Sequence, residues 1–163
     1  MLNRFPAPEI KNCGNKLLAG KHTTTSLTNN KTGELWRTFM PLRSILKTIK
    51  GNDLYSLQLY PADYFLQFNP STSFEKWAMI EVASASDLPE GIETFSLQDG
   101  LYAVFHYKGS SLDTSIFQYI FTQWLPESGY VLDDRPHFEL LGEKYKNGDP
   151  ESEEEIWIPV KNA

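Results

Sequence analysis

The sequence predicts an α+β fold. Two pseudo-symmetric strand–helix–strand–strand repeats form one mostly antiparallel sheet, with helices on one face and a cleft on the other. Three observations predict it. Segments of alternating apolar and polar residues are interrupted twice by segments with helical spacing. Proline, glycine and asparagine clusters punctuate the segments at regular intervals. The last strands of the two halves carry related runs, Glu75-Lys-Trp77 and Glu155-Ile-Trp157. Identity between the halves is otherwise weak, so the repeat is one of architecture. On pattern alone, a plain α+β sandwich without internal symmetry stays open.

Residues 1–14 hold two prolines and little periodicity and read as an N-terminal arm. Residues 15–161 read as a single domain, with repeats at about 15–84 and 92–161. Lys16–Thr24 is a strand, weakened by Gly20. Thr32 caps a helix running to about Leu46, with Leu35, Phe39, Leu42 and Leu46 on one face and a bend at Pro41. Asp53–Tyr60 alternates as a strand, and 61–72 is a loop. Phe74–Ala83 is a strand with Phe74, Lys76, Ala78, Ile80 and Val82 on one face and Glu75, Trp77, Met79 and Glu81 on the other. Ile92–Ser96 is a short strand before an Asp99-Gly100 hairpin turn.

The second half begins with the strand Leu101–Lys108. Ser110 and Asp113 have capping-box spacing before a helix at about Leu112–Leu125, which Pro126 stops. Pro136–Glu143 is a strand, Asn147-Gly148 a turn, and Glu154–Lys161 the final strand.

Composition narrows the function. The 163 residues carry a net charge of −6, which argues against binding nucleic acid through a global positive field. Cys13 is the single cysteine, so an intramolecular disulfide and a cysteine-rich zinc site are excluded. His22, His106 and His137 lack metal-ligand spacing, and no metal or other cofactor is expected. No apolar run reaches membrane-spanning length and no signal-peptide core is visible, so the expected location is cytoplasmic. The aromatic content of 13%, with four Trp and eight Tyr, is the unusual number. It makes the placement of those rings the central question.

Strand phase gives a first answer. Trp77 and Trp157 are out of phase with the most apolar positions of their strands, so each needs cover from a loop, a partner or a ligand. Met79 and Glu81 share the phase of Trp77. On Pro136–Glu143, Phe138 and Leu140 are expected beneath the helices. His137, Glu139 and Leu141 then face the other way. Ala103 and Phe105 are expected under a helix, with Tyr102 and His106 opposite. A carboxylate on a central strand among aromatic rings is a sensible receptor for a lipophilic cation, because a cationic guest offsets the desolvation of the charge. The alternative is a solvated strand glutamate.

These elements together resemble a known family. The order is Leu101-Tyr-Ala-Val-Phe-His-Tyr-Lys-Gly109, a helix ending in Gln123-Trp124-Leu125-Pro126, then Arg135-Pro-His-Phe-Glu-Leu-Leu141, then Glu155-Ile-Trp-Ile-Pro-Val160. It is similar to the GyrI-like small-molecule-binding domain, also called the AraC-type or bacterial transcription-activator effector-binding domain. The resemblance implies a central cleft for hydrophobic, often cationic, small molecules, and its key acidic residue falls on Glu139. With no helix-turn-helix region before residue 15, a stand-alone member is expected.

The expected function is binding of a hydrophobic or aromatic, cationic small molecule. Glu139 would supply charge, and Trp77, Trp157, Met79, His137, Tyr102 and His106 the surrounding contacts. Neither direct nucleic-acid binding nor a membrane role is expected. Two alternatives remain. One is a hydrolase of a reactive small molecule that uses Glu139 as general acid or base. The other is a gyrase-inhibitor-type protein-interaction module.

Overall fold

A computed structural model describes residues 5–163. Along the chain run β1 (Glu9–Asn12), β2 (Lys16–Thr25), α1 (Thr32–Arg43), β3 (Ile49–Leu59), β4 (Phe74–Val82) and β5 (Glu93–Leu97). There follow β6 (Leu101–Lys108), α2 (Ser115–Tyr119), a π turn (Ile120–Trp124), α3 (Leu125–Glu127), β7 (Tyr130–Leu132), β8 (His137–Leu141) and β9 (Glu153–Asn162). The strand order is β1-β6-β9-β8-β3-β4-β2-β5, with β7 added beside β9. Every pairing is antiparallel.

That order is a palindrome of the two repeats. β2-α1-β3-β4 and β6-α2-β8-β9 meet at the β3–β8 pair, and each repeat runs outward from it in the same sense. Superposing Trp77 on Trp157 places Leu57 on Phe138, because Leu57 pairs with Trp77 and Phe138 pairs with Trp157. Leu57 and Phe138 also pair with each other, so the pseudo-two-fold axis passes between them. The two outer strands are exchanged: β1 pairs with β6 and β5 with β2.

The exchange draws the two ends of the sheet together. Residues 13–15 link β1 to β2, and 98–100 link β5 to β6. The links bind each other through Cys13 N–H to Gly100 O (3.1 Å), Gly14 N–H to Asp99 Oδ1 (2.8 Å) and Asp99 N–H to Asn15 Oδ1 (2.8 Å). Gly14 has φ of +74°, a left-handed conformation that suits glycine at this kink.

Directly paired residues share a face. One row across six strands reads Lys21–Ala78–Ser56–Glu139–Ile156–Phe105. The next reads His22–Trp77–Leu57–Phe138–Trp157–Val104. The first row belongs to the face that carries the helices. There α1 buries Leu35 and Phe39 against Ala19, Ala78, Ile80 and Val82. The second helical segment buries Ile116 and Ile120 against Ala103, Phe105, Ile156 and Ile158. The second row belongs to the helix-free face, where Leu18, Tyr55, Met79, Leu97 and Tyr102 join it in one buried cluster. No helix covers that cluster, so the curl of the sheet itself keeps water out.

Several expectations need adjustment. Residues 9–12, read as arm, form an edge strand; 1–4 lie outside the described residues. β3 starts at Ile49 and passes a register shift before Leu54, where Gly51 takes φ of +83°. α1 ends at Arg43, although Leu46 still packs into its core. The second helix starts at Ser115 rather than Leu112. Asp113 Oδ1 accepts from Ser115 N–H at 2.9 Å, so the turn at Ser110–Asp113 precedes the helix.

Gly20 is required by sterics. A Cβ there would lie 1.9 Å from the Ala78 carbonyl oxygen, a backbone atom that cannot step aside. Gly20→Ala is expected to destabilise the protein by about 3 kcal/mol or more, read by chemical denaturation. A wild-type midpoint would show that β2 and β4 do not approach this closely.

Candidate functional site

The helices leave the middle of their face uncovered. α1 lies on β2 and β4, and the second helical segment lies on β6 and β9. Between them runs a strip over β3 and β8, and there the sequence turns polar. Ser56, Gln58, Lys76 and His137 are all buried, and Glu139 and Glu154 are partly so. A buried polar group without partners costs stability, so such a strip on the central strands needs a reason.

Glu139 sits at the centre of the strip, opposite Ser56. Gln58 Nε2 donates to Glu139 Oε2 at 3.1 Å. The superposition of the two repeats places Gln58 on Glu139, so the two symmetry-related positions hold each other across the join. Lys76 lies in the neighbouring row with Gln58 and His137. Burial lowers its ammonium pKa, and the charges of Glu139 and Glu154 oppose that shift. Burial pushes the Glu154 carboxyl up to about 7, helped by Glu139 and opposed by Lys76. His137 is pushed down to about 3 by burial and then by Arg135, and is neutral at physiological pH.

Aromatic rings wall and roof this floor. Tyr60 packs edge-on against His137 (4.9 Å) and lies beside Tyr64, Phe65 and Phe74. Burial, then Glu139 and Tyr64, raise the Tyr60 phenol well above its usual range, so it stays neutral. Phe65, in the loop after β3, stacks on Phe121 of the π turn (4.9 Å) and on His137 (5.4 Å). The loop thus bridges the two helical sides over the strip. Of these groups Glu154 alone also lines a cavity of about 560 Å³, beside Asp53, His106, Leu140, Glu143 and Glu155.

The predicted residues therefore divide between two faces. Trp77, Met79, Tyr102 and Trp157 lie on the helix-free face, as phase indicates, but that face is packed core. Each indole removes about 200 Å² from water, about 5 kcal/mol at 25 cal/mol/Å², so leaving the rings uncovered would be untenable. Their polar edges are also used. Trp77 Nε1 donates to Glu75 (2.7 Å) and Trp157 Nε1 to Glu155 (3.0 Å), a symmetric arrangement. His22 stacks on Trp77 (4.6 Å), and the Lys11 ammonium lies 5.2 Å from the Trp157 ring. Tyr102 donates to Pro136 O (2.8 Å) beneath the Arg135 guanidinium. His106 is exposed beside Glu9 and Glu155.

The expected phase of β8 is reversed. Phe138 pairs with Trp157 and belongs to the helix-free core, and Leu140 packs with it. His137 and Glu139 lie between the helices, on the face opposite Trp77 and Trp157. The reason is that neither helix covers β3 and β8, so the helix-bearing face of these strands is the polar one. Lys76, Gln58, Tyr60, Phe65, Phe121 and Glu154 join Glu139 here without having been singled out. Lys76 and Glu154 carried a signal, since each is a charge within an otherwise apolar phase of its strand.

A pH prediction follows from Glu154. A carboxyl near 7 in the folded protein and near 4.5 when unfolded binds more protons folded. Stability therefore falls as pH rises through that window. Glu154→Gln should raise the melting temperature by a few degrees at pH 8 and change it little at pH 5. An equal shift at both values would mean that Glu154 is not desolvated.

The comparisons agree with this architecture. The family description "GyrI-like small molecule binding domain" matches residues 6–161. No match was found among curated proteins. SAV2435, solved bound to tetraphenylphosphonium, is similar with a TM-score of 0.69 at 16% identity, over 94% of this chain and 93% of that one. The C-terminal domain of EcmrR has a TM-score of 0.69 at 15% identity, over 99% and 100%. An integron cassette protein of Vibrio cholerae has a TM-score of 0.67 at 19% identity, over 96% and 97%. At these identities the structures speak to the fold, while the family match spans nearly the whole sequence. The chain belongs to the GyrI-like small-molecule binding domain family.

Proposed function

We propose that the strip between α1 and the second helical segment binds an aromatic, cationic small molecule, with Glu139 as its charge partner. The observation that carries this reading is the Glu139 carboxylate itself. It stands on a central strand, is held by Gln58 and lies beside Tyr60, with Phe65 and Phe121 close by at His137. A carboxylate in a partly desolvated site gains from a cation, and aromatic faces attract the same guest. The structure of SAV2435 with tetraphenylphosphonium supplies a suitable probe. The ring of Phe65 would move aside or stack on the guest as it enters.

A second reading rests on Glu154. With its carboxyl pushed up to about 7 by burial and then by Glu139, Glu154 is suited to act as general acid or base on an electrophilic guest, with Glu139 as the second carboxyl group. Structures described as hydrolases from Listeria innocua share the fold at 9% and 8% identity. Turnover lost in both Glu139→Gln and Glu154→Gln would favour this reading. Saturable binding without product would count against it.

Isothermal titration with tetraphenylphosphonium tests the first reading. Glu139→Gln keeps the shape and the contact to Gln58 but removes the charge. It is expected to weaken binding by about tenfold or more, roughly 1.4 kcal/mol. Equal affinity of both proteins would remove Glu139 from the role.

A further inference from the structure

The charge that faces Glu139 in this chain comes from the chain itself. Lys76 stands on β4, in the row Thr23–Lys76–Gln58–His137, on the helix-bearing face. Its residue is only 6% exposed. Ammonium groups are seldom so buried unless paired, because desolvation opposes the charge. The charged groups that act on it are Glu139 from β8 and Glu154 from β9. The other titratable neighbours of the strip, His137, Tyr60 and Tyr145, are uncharged at neutral pH. Among the described residues no ion pair within 4.0 Å fixes the Lys76 ammonium. Its ammonium stands at the end of a flexible stem of four carbons, within electrostatic reach of Glu139 and Glu154.

We propose that Lys76 is the resident cation of the site and sets its charge selectivity: its ammonium balances Glu139 in the empty protein, and a cationic guest binds by displacing it. This rests on the reading of the strip as a cation-binding site and adds a residue that opposes binding. Two cations beside one carboxylate repel each other, and the repulsion is stronger away from water. An aromatic guest without charge meets no such penalty. The chain is thereby tuned against small or weakly stacking cations, which gain too little from the rings to displace Lys76. Large aromatic cations gain enough.

The test titrates wild type, Lys76→Met and Lys76→Arg with tetraphenylphosphonium and with neutral triphenylphosphine oxide. Lys76→Met is expected to bind the cation about tenfold more tightly and the neutral probe within about twofold of wild type. Lys76→Arg keeps the charge and should restore cation affinity to within about threefold of wild type. Lys76→Gln carries the same expectation as Lys76→Met should the latter fail to fold. Unchanged or weaker cation binding in the uncharged variants would overturn the proposal. Equal tightening for both probes would overturn it too, since that reports added space rather than removed charge. If wild type binds the cation and Glu139→Gln weakens it while the Lys76 variants do nothing, only the role of Lys76 fails. If no variant and not wild type binds the cation, the cation-binding reading fails and takes this one with it.

Discussion

The antiparallel pairing of β3 with β8 is the contact on which the rest of the molecule depends. It joins the two repeats, and the pseudo-two-fold axis passes through its Leu57–Phe138 pair. Because α1 packs on β2 and β4 and the second helical segment on β6 and β9, no helix packs on the join among the described residues. Gln58 and Glu139, equivalent by symmetry, meet here and form a hydrogen bond. A polar strip on the axis is a direct result of building one sheet from two similar halves.

The two faces of the sheet divide the work between them. The helix-free face is closed by the exchange of β1 and β5 and by the mutual binding of the 13–15 and 98–100 links. Its aromatic core packs the central strands from one side. The opposite side of those strands carries groups that cost stability to bury: Lys76, His137, Glu154 and Glu139. A site held on paired strands keeps its geometry better than one built on loops. The loop carrying Phe65, which stacks on Phe121 and His137, is the exception.

The charges of the site are coupled. Lys76 lowers and Glu139 raises the affinity of Glu154 for its proton. A change in any one of these charges shifts the balance of the others.

Most elements were legible in the sequence because their periods are local. The alternation of Phe74–Val82 and the spacing of Leu35 and Phe39 follow from backbone geometry alone. The related runs ending in Trp77 and Trp157 revealed the repeat, and the symmetric contacts to Glu75 and Glu155 show that the relation is structural. The motif around Arg135–Leu141 also singled out Glu139. Which face of β8 lies toward the helices could not be read from alternation. That inference assumes one buried face and one wet face, and here both faces of β8 are largely covered. Phe138 and Leu140 are apolar yet belong to the helix-free core.

The fold alone brings Lys76 and Glu154 within electrostatic reach of Glu139. The sequence by itself determined the elements and their repetition, since these depend on neighbours along the chain, while attention to Glu139 came from the family resemblance. Only the tertiary structure decided the face on which that residue lies, the companions it has there and the closing of the opposite face. Those depend on which strands pair and where the helices come to rest.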